Sequence, residues 1–290
     1  MRVKGLPIVA GAVLLAFAAS ARAQEGFLDV FIAKVKPEKR AEFDAISKKV
    51  ADLNRRNKGD TWIAADTFYG EWNTVYFISI RQNYAETQKG FDAFFGALSK
   101  PGGPAAGAKI FQDFNNTVVS TRTEIRRRRP DLSFNAPSDP AAMNKLIGDA
   151  RFVRTFIVRV RPGRASQYEN QIRMIKAAIE KSMPGVPSFV SQSVAGQQGT
   201  IYYISALRSS MGGFDGGPSL QQMMGDDAYA RYQQAAAENT FGFETIILRY
   251  SPELSNPPEE VAAAAPDFWR PKPAMAPKPK PKAEAGKPSQ

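Results

Sequence analysis

Phe31-Ile32-Ala33-Lys34-Val35-Lys36-Pro37-Glu38-Lys39 and Phe156-Ile157-Val158-Arg159-Val160-Arg161-Pro162-Gly163-Arg164 are two versions of one phrase. Each reads as a strand rich in β-branched and aromatic residues, ended by a proline that cannot donate to a sheet ladder. Each proline then suits the first turn of a helix, where its missing N–H costs nothing. An aromatic follows at the same distance, Phe43 in one and Tyr168 in the other.

Working outward, three further matches keep the same order at offsets between 122 and 126 residues. Thr74-Val75-Tyr76-Phe77-Ile78-Ser79 aligns with Thr200-Ile201-Tyr202-Tyr203-Ile204-Ser205. Gly90-Phe91-Asp92 aligns with Gly213-Phe214-Asp215, and Arg129-Pro130-Asp131-Leu132-Ser133 with Ser251-Pro252-Glu253-Leu254-Ser255. Such ordered self-similarity indicates an internal duplication.

Within the first copy, Phe43, Ile46, Val50 and Leu53 fall at helical spacing, as do Tyr168, Ile172, Ile175 and Ile179 in the second. Strands at Trp62 to Tyr69 and Thr74 to Arg81, a helical region from Phe91, and a strand from Val118 to Arg127 complete the order β-α-β-β-α-β. That is the ferredoxin-like arrangement. The fold class expected is therefore α+β, with repeats at residues 24–133 and 150–255 and a linker at 134–149.

The first strand carries apolar residues on both faces: Phe31, Ala33 and Val35 on one, Leu28, Val30 and Ile32 on the other. The second copy sets Phe156, Val158 and Val160 against Val153 and Ile157. A strand apolar on both sides is covered on both sides. The helices cover one face, and the sheet of the other copy is the partner expected for the second. Two such sheets make a pseudo-dimeric α/β barrel within one chain; two separate beads are the alternative.

The basic-x-Val-basic-Pro-Gly-basic phrase followed by an aromatic, clearest at Arg159 to Arg164 with Tyr168, resembles the dimeric α/β-barrel superfamily. The antibiotic-biosynthesis-monooxygenase-like and NIPSNAP-like domains are the members it is most similar to. The resemblance spans Phe27 to Ser133 and Phe152 to Ser255, although Glu38 stands where the pattern prefers glycine. It implies a fold and leaves the activity open, because the superfamily holds cofactor-free oxygenases, haem enzymes, small isomerases and proteins without known activity.

The ends carry different signals. Arg2 and Lys4, the apolar run Leu6 to Ala19, and Ser20-Ala21-Arg22-Ala23 read as a signal peptide over residues 1–23, cut between Ala23 and Gln24. The run is shorter than the roughly 20 residues that span a bilayer. The expected location is thus periplasmic or secreted, with no transmembrane segment after cleavage. Removing Arg2, Lys4 and Arg22 takes the formal charge from +11 to +8. Residues 256–290, rich in Pro, Ala and Lys, read as a disordered arm, and its basic end suits either a tether to an anionic envelope surface, rather than nucleic acid, or a plain solubilising spacer.

The chain has no cysteine and no histidine. Disulfides, His-ligated haem, most zinc and non-haem iron sites, and Ser-His-Asp or Cys-His machinery are excluded, so no cofactor or metal is expected. Gly212-Gly213-Phe214-Asp215-Gly216-Gly217 lacks the strand and lysine of a phosphate loop, and Asp226-Asp227 read as first-turn helix residues. The arginine run Arg126, Arg127, Arg128 and Arg129 is the sharpest charge cluster, either an anion site at the barrel rim or a solvated strand end.

The facing-sheet arrangement places a ligand pocket at the barrel mouth. Its candidate residues are Lys34 and Arg159 above the aromatics Trp62, Tyr76, Tyr202 and Tyr203, side chains that serve a core as readily as a ligand. The resulting expectation is an envelope protein that binds a small apolar, aromatic or anionic ligand or a protein partner. A cofactor-independent monooxygenase acting on an electron-rich aromatic is the alternative, and a filled, purely structural barrel the third.

Overall fold

Each first strand leads, as its proline predicts, straight into a helix. In the computed structural model, which describes residues 26–271, β1 (Phe27–Val35) ends before a short 3-10 turn at Pro37–Lys39 and α1 (Arg40–Asn57). Then come β2 (Ile63–Tyr69), β3 (Thr74–Arg81), α2 (Tyr84–Ser99), α3 (Gly103–Thr117) and β4 (Val118–Arg128). After α4 (Pro140–Asp149) the order recurs as β5 (Phe152–Val160), α5 (Ala165–Ser182), β6 (Phe189–Ala195) and β7 (Thr200–Arg208). The short α6 (Leu220–Met224), α7 (Asp226–Asn239) and β8 (Thr240–Tyr250) complete it.

The eight strands close into one antiparallel barrel in the order β1-β3-β2-β8-β5-β7-β6-β4. The halves do more than face each other: β2 pairs with β8, and β4 with β6, so neither half keeps a free sheet edge. This is a pseudo-dimeric α/β barrel made by a single chain, and the expectation of separate beads fails.

Register sorts the two faces of every strand. Val30, Ile32, Val153 and Ile157 point into the barrel and are buried, while Ala33, Val35, Val158 and Val160 pack under the helices. The double-sided apolar pattern of β1 and β5 thus reflects cover on both faces.

Two boundary expectations are corrected. Residues 134–149 are more than a linker: Asp139 caps α4, accepting from the Ala142 amide at 2.8 Å. Residues 256–271 are not a disordered arm. They form α8 (Glu259–Ala264) and α9 (Pro266–Trp269), which pack with α4 on the barrel end where β5 begins. Val261, Ala262 and Trp269 are buried, and the Trp269 indole donates to the Gly148 carbonyl at 2.9 Å. Three well-placed apolar side chains bury enough area to outweigh a Pro- and Ala-rich composition. The expected signal peptide and the lysine-rich stretch from 272 onward lie outside the described residues. No helix among those described is long and apolar enough to cross a membrane.

Candidate functional site

The outer face of the first sheet meets three helices that bring an unusual density of phenylalanine. On β1 and β3, Phe31 lies opposite Phe77 and Asp29 opposite Ser79. Above them, Phe91, Phe94, Phe95 and Leu98 follow helical spacing on α2, as do Ile110, Phe111 and Phe114 on α3. Most of these rings meet edge-on or tilted: Trp62 meets Phe94 edge-on at 5.8 Å, and Phe31 meets Phe114 at 5.9 Å, while Phe111 and Phe114 stack at 6.4 Å. Between them lies a cavity of about 310 Å³. Phe91, 61% exposed, stands at its mouth.

One wall of this cavity is polar. Arg81, at the end of β3, donates from both terminal nitrogens to Asp60 at 2.7 and 2.6 Å, and Asp29 lies 3.7 Å away. The guanidinium reaches this position because α2 carries Gly90 directly above it; a β-carbon there would sit 2.5 Å from an Arg81 nitrogen. Burial pushes the Asp29 carboxyl above its ordinary value; Arg81 counters part of this, and the charge of Asp60 adds to it. Ser47 Oγ and Arg81 Nε are buried without a hydrogen-bond partner among the described residues, and both residues line the cavity. Buried polar atoms ordinarily find partners, so these two stand out in the cavity wall.

The six residues expected to form a pocket are not brought together. Only Trp62 among them lines the cavity, its indole fixed to the Leu254 carbonyl at 2.8 Å. Lys34 and Arg159 do share one barrel rim, but Lys34 is paired with Glu71, and Arg159 lies 3.7 Å from Glu244. Tyr76 and Tyr203 point into the barrel opposite Ile32 and Ile157, whereas Tyr202 turns outward onto Tyr168 at 5.1 Å.

The barrel interior at this level is occupied. Glu124, fully buried, accepts from Arg122 and Arg126, from the Tyr203 hydroxyl at 2.9 Å and from Gln197. Burial alone would raise this carboxyl, but the Arg126 charge and these hydrogen bonds hold it below the usual carboxylate range. Arg126 also lies 3.6 Å from the Tyr203 ring centre.

The arginine run splits as strand alternation requires. Arg126 and Arg128 face inward in register with Ser193 and Ser191; Arg127 bonds Gln192, and Arg129 pairs with Asp131 and Glu169. The run is therefore not one anion cluster, because Arg126 and Arg129 already hold carboxylates.

Sequence reasoning passed over Asp29, Ser47, Asp60 and Arg81, which come from four separate elements. The available signal was Gly90-Phe91, whose glycine the arginine beneath it requires.

A closed α/β barrel with an aromatic cavity under the helices of its first half defines the class. No protein-family model and no curated protein sequence matches the chain. Among solved structures, the chain is similar to an anthrone oxidase-like protein at 11% identity, with a TM-score of 0.50, covering 80% of this chain and 93% of the other. A proposed monooxygenase of Lactobacillus acidophilus NCFM matches at 11% identity and TM-score 0.46, over 78% and 94% of the two chains. A chlorite dismutase variant of Candidatus Nitrospira defluvii matches at 10% and 0.45, over 84% and 97%. At these identities the likeness is one of fold.

Proposed function

We propose that the first half of the barrel binds a small, flat aromatic molecule bearing one polar group, held between the sheet and its helices. The observation that carries this is an aromatic cavity of about 310 Å³ with two unpartnered buried polar atoms, Ser47 Oγ and Arg81 Nε, in its wall. Its volume sits at the lower end of the range for small-molecule sites, roughly 300–1,000 Å³. The rings contact the ligand's faces, and Ser47, Arg81 and Asp29 orient its polar edge. We further infer that the halves arose by duplication, and that residues 1–23 direct export, so the ligand is met in the periplasm or outside the cell.

Calorimetric titration with 2-naphthol tests the binding reading. Ser47→Ile introduces the residue that α5 carries at the matching place, Ile172, and fills the cavity. The expected result is at least tenfold weaker binding with an unchanged melting temperature. Equal binding by the variant would remove the cavity as the site.

A second reading, cofactor-independent oxygenation, has one specific supporting feature: Asp29, a carboxylate made more basic by burial at the cavity wall. Such a base takes a proton from an acidic aromatic substrate, whose anion can itself react with dioxygen. Oxygen uptake with quinol-type substrates, lost in Asp29→Asn, is the expected signature; no uptake across such a panel would leave binding alone.

A further inference from the structure

The second half carries the same framework without the acidic partners of its arginine. Phe27 pairs with Arg81, and Phe152, at the matching place of β5, pairs with Arg208. Gly213 stands over Arg208 as Gly90 stands over Arg81, a β-carbon there lying 3.1 Å from the arginine side chain. The two acidic neighbours of Arg81 are gone, however. Arg154 occupies the place of Asp29. Asp60 lies three residues before the first paired residue of β2, and in the same relation to β6 stands Val186.

Arg208 is left with the backbone carbonyls of Leu207 and Gly213 as its hydrogen-bond acceptors. Arg154 Nε is buried with no partner among the described residues. Both guanidinium groups converge on one ring, Phe214, at 4.8 and 5.7 Å from its centre. Arg154 also lies over Phe156, which stacks on the exposed Phe243 at 5.6 Å. Burial pushes both arginines below their ordinary values, and the charge of Arg154 lowers Arg208 further; no carboxylate offsets this. Two partly desolvated, mutually repelling cations without a counter-charge are costly unless an anion joins them. Asp215, next to Phe214, forms no ion pair with either.

We propose that Arg154 and Arg208 form a second ligand site, in which the two guanidinium groups clamp the carboxylate of a small aromatic acid while Phe214 and Phe156 contact its ring. Planar guanidinium groups match a carboxylate's two oxygens, and adjacent aromatic faces select a flat ring over an aliphatic chain. The loop beside it turns through Gly216 and Gly217 at φ 77° and 87°, a backbone conformation that glycine adopts without strain. This site stands independently of the cavity in the first half.

Titration calorimetry at low salt with benzoate, acetate and benzyl alcohol tests it. Benzoate is expected to bind the full chain at least tenfold more tightly than either acetate or benzyl alcohol. The Arg154→Gln/Arg208→Gln double variant should lose at least tenfold in benzoate affinity. Arg154→Asp, which recreates the acid–arginine pairing of the first half, should lose binding as fully while keeping the melting temperature. Benzoate binding unchanged in Arg154→Asp, or no tighter than acetate in the parent protein, would overturn the proposal.

Discussion

Gly90 lies directly over the guanidinium of Arg81, leaving no space for a β-carbon between helix α2 and the end of β3. That contact lets Arg81 sit 7% exposed in the cavity wall and grip Asp60 with both terminal nitrogens. A helix glycine ordinarily costs roughly 0.5–1 kcal/mol relative to alanine, so Gly90→Ala should stabilise if α2 alone mattered. We predict the opposite: a loss of about 1–3 kcal/mol by chemical denaturation, because the displaced Arg81 leaves a buried acid unpaired. Made in an Arg81→Met background, Gly90→Ala should cost less than it does in the parent protein, since the guanidinium it would strike is already absent.

Asp29 gives a pH signature. Its carboxyl binds a proton more tightly in the folded protein than in the unfolded chain, so ionising it opposes folding. The cost is fully present above the folded value and absent below the ordinary value of 3.8. Asp29→Asn is therefore expected to melt higher than the parent at pH 7, with the advantage fading as pH falls toward 3.8. A constant difference across that window would contradict the assignment.

The inward face of β5 offers a test of the closed barrel. Ile157 is 9% exposed among the residues that fill the interior, whereas Phe243 on the outer face of β8 is 66% exposed. Ile157→Asp should cost about 3 kcal/mol or more by burying an unpaired charge, and Phe243→Asp should cost little. Ile32→Asp, directly opposite Tyr76, is expected to behave like Ile157→Asp. Equal melting of the Ile157→Asp and Phe243→Asp variants would mean that the interior is wet.

The C-terminal segment separates into two parts by truncation. Ending the chain after Pro271 should leave melting unchanged, because the packed segment stays. Ending it after Asn256 removes Val261, Ala262 and Trp269 from the core and should lower stability markedly. Trp269→Ala alone is expected to cost about 3–5 kcal/mol, the range for a buried aromatic.

How much of this was legible follows from where the signal is local. The paired phrases around Lys34 and Arg159 fixed strand, proline and helix, and the double apolar faces at Ile32 and Ile157 required a second sheet. Closure through β2 with β8 and β4 with β6 was not legible, since edge pairing depends on backbone hydrogen bonds that no side-chain pattern encodes. The tyrosines failed by a single residue. Aligning Thr74 with Thr200 equates Tyr76 with Tyr202, yet the ladders put Tyr203 opposite Ile157 just as Tyr76 lies opposite Ile32. A one-residue slip turns a strand's side chains to its other face. The cavity stayed hidden because Asp29, Ser47, Asp60 and Arg81 are dispersed in the chain and ordinary one by one. Trp269 was obscured by the proline and alanine around it.

The most direct measurement of the central claim is a crystal structure of the full chain grown with 2-naphthol. The account predicts the naphthalene ring between Phe31, Phe94 and Phe114, with its hydroxyl within hydrogen-bond distance of Ser47 Oγ or the Asp29 carboxyl. Density for the ligand at the barrel rim beside Lys34 and Arg159, with the phenylalanine cavity closed, would contradict it.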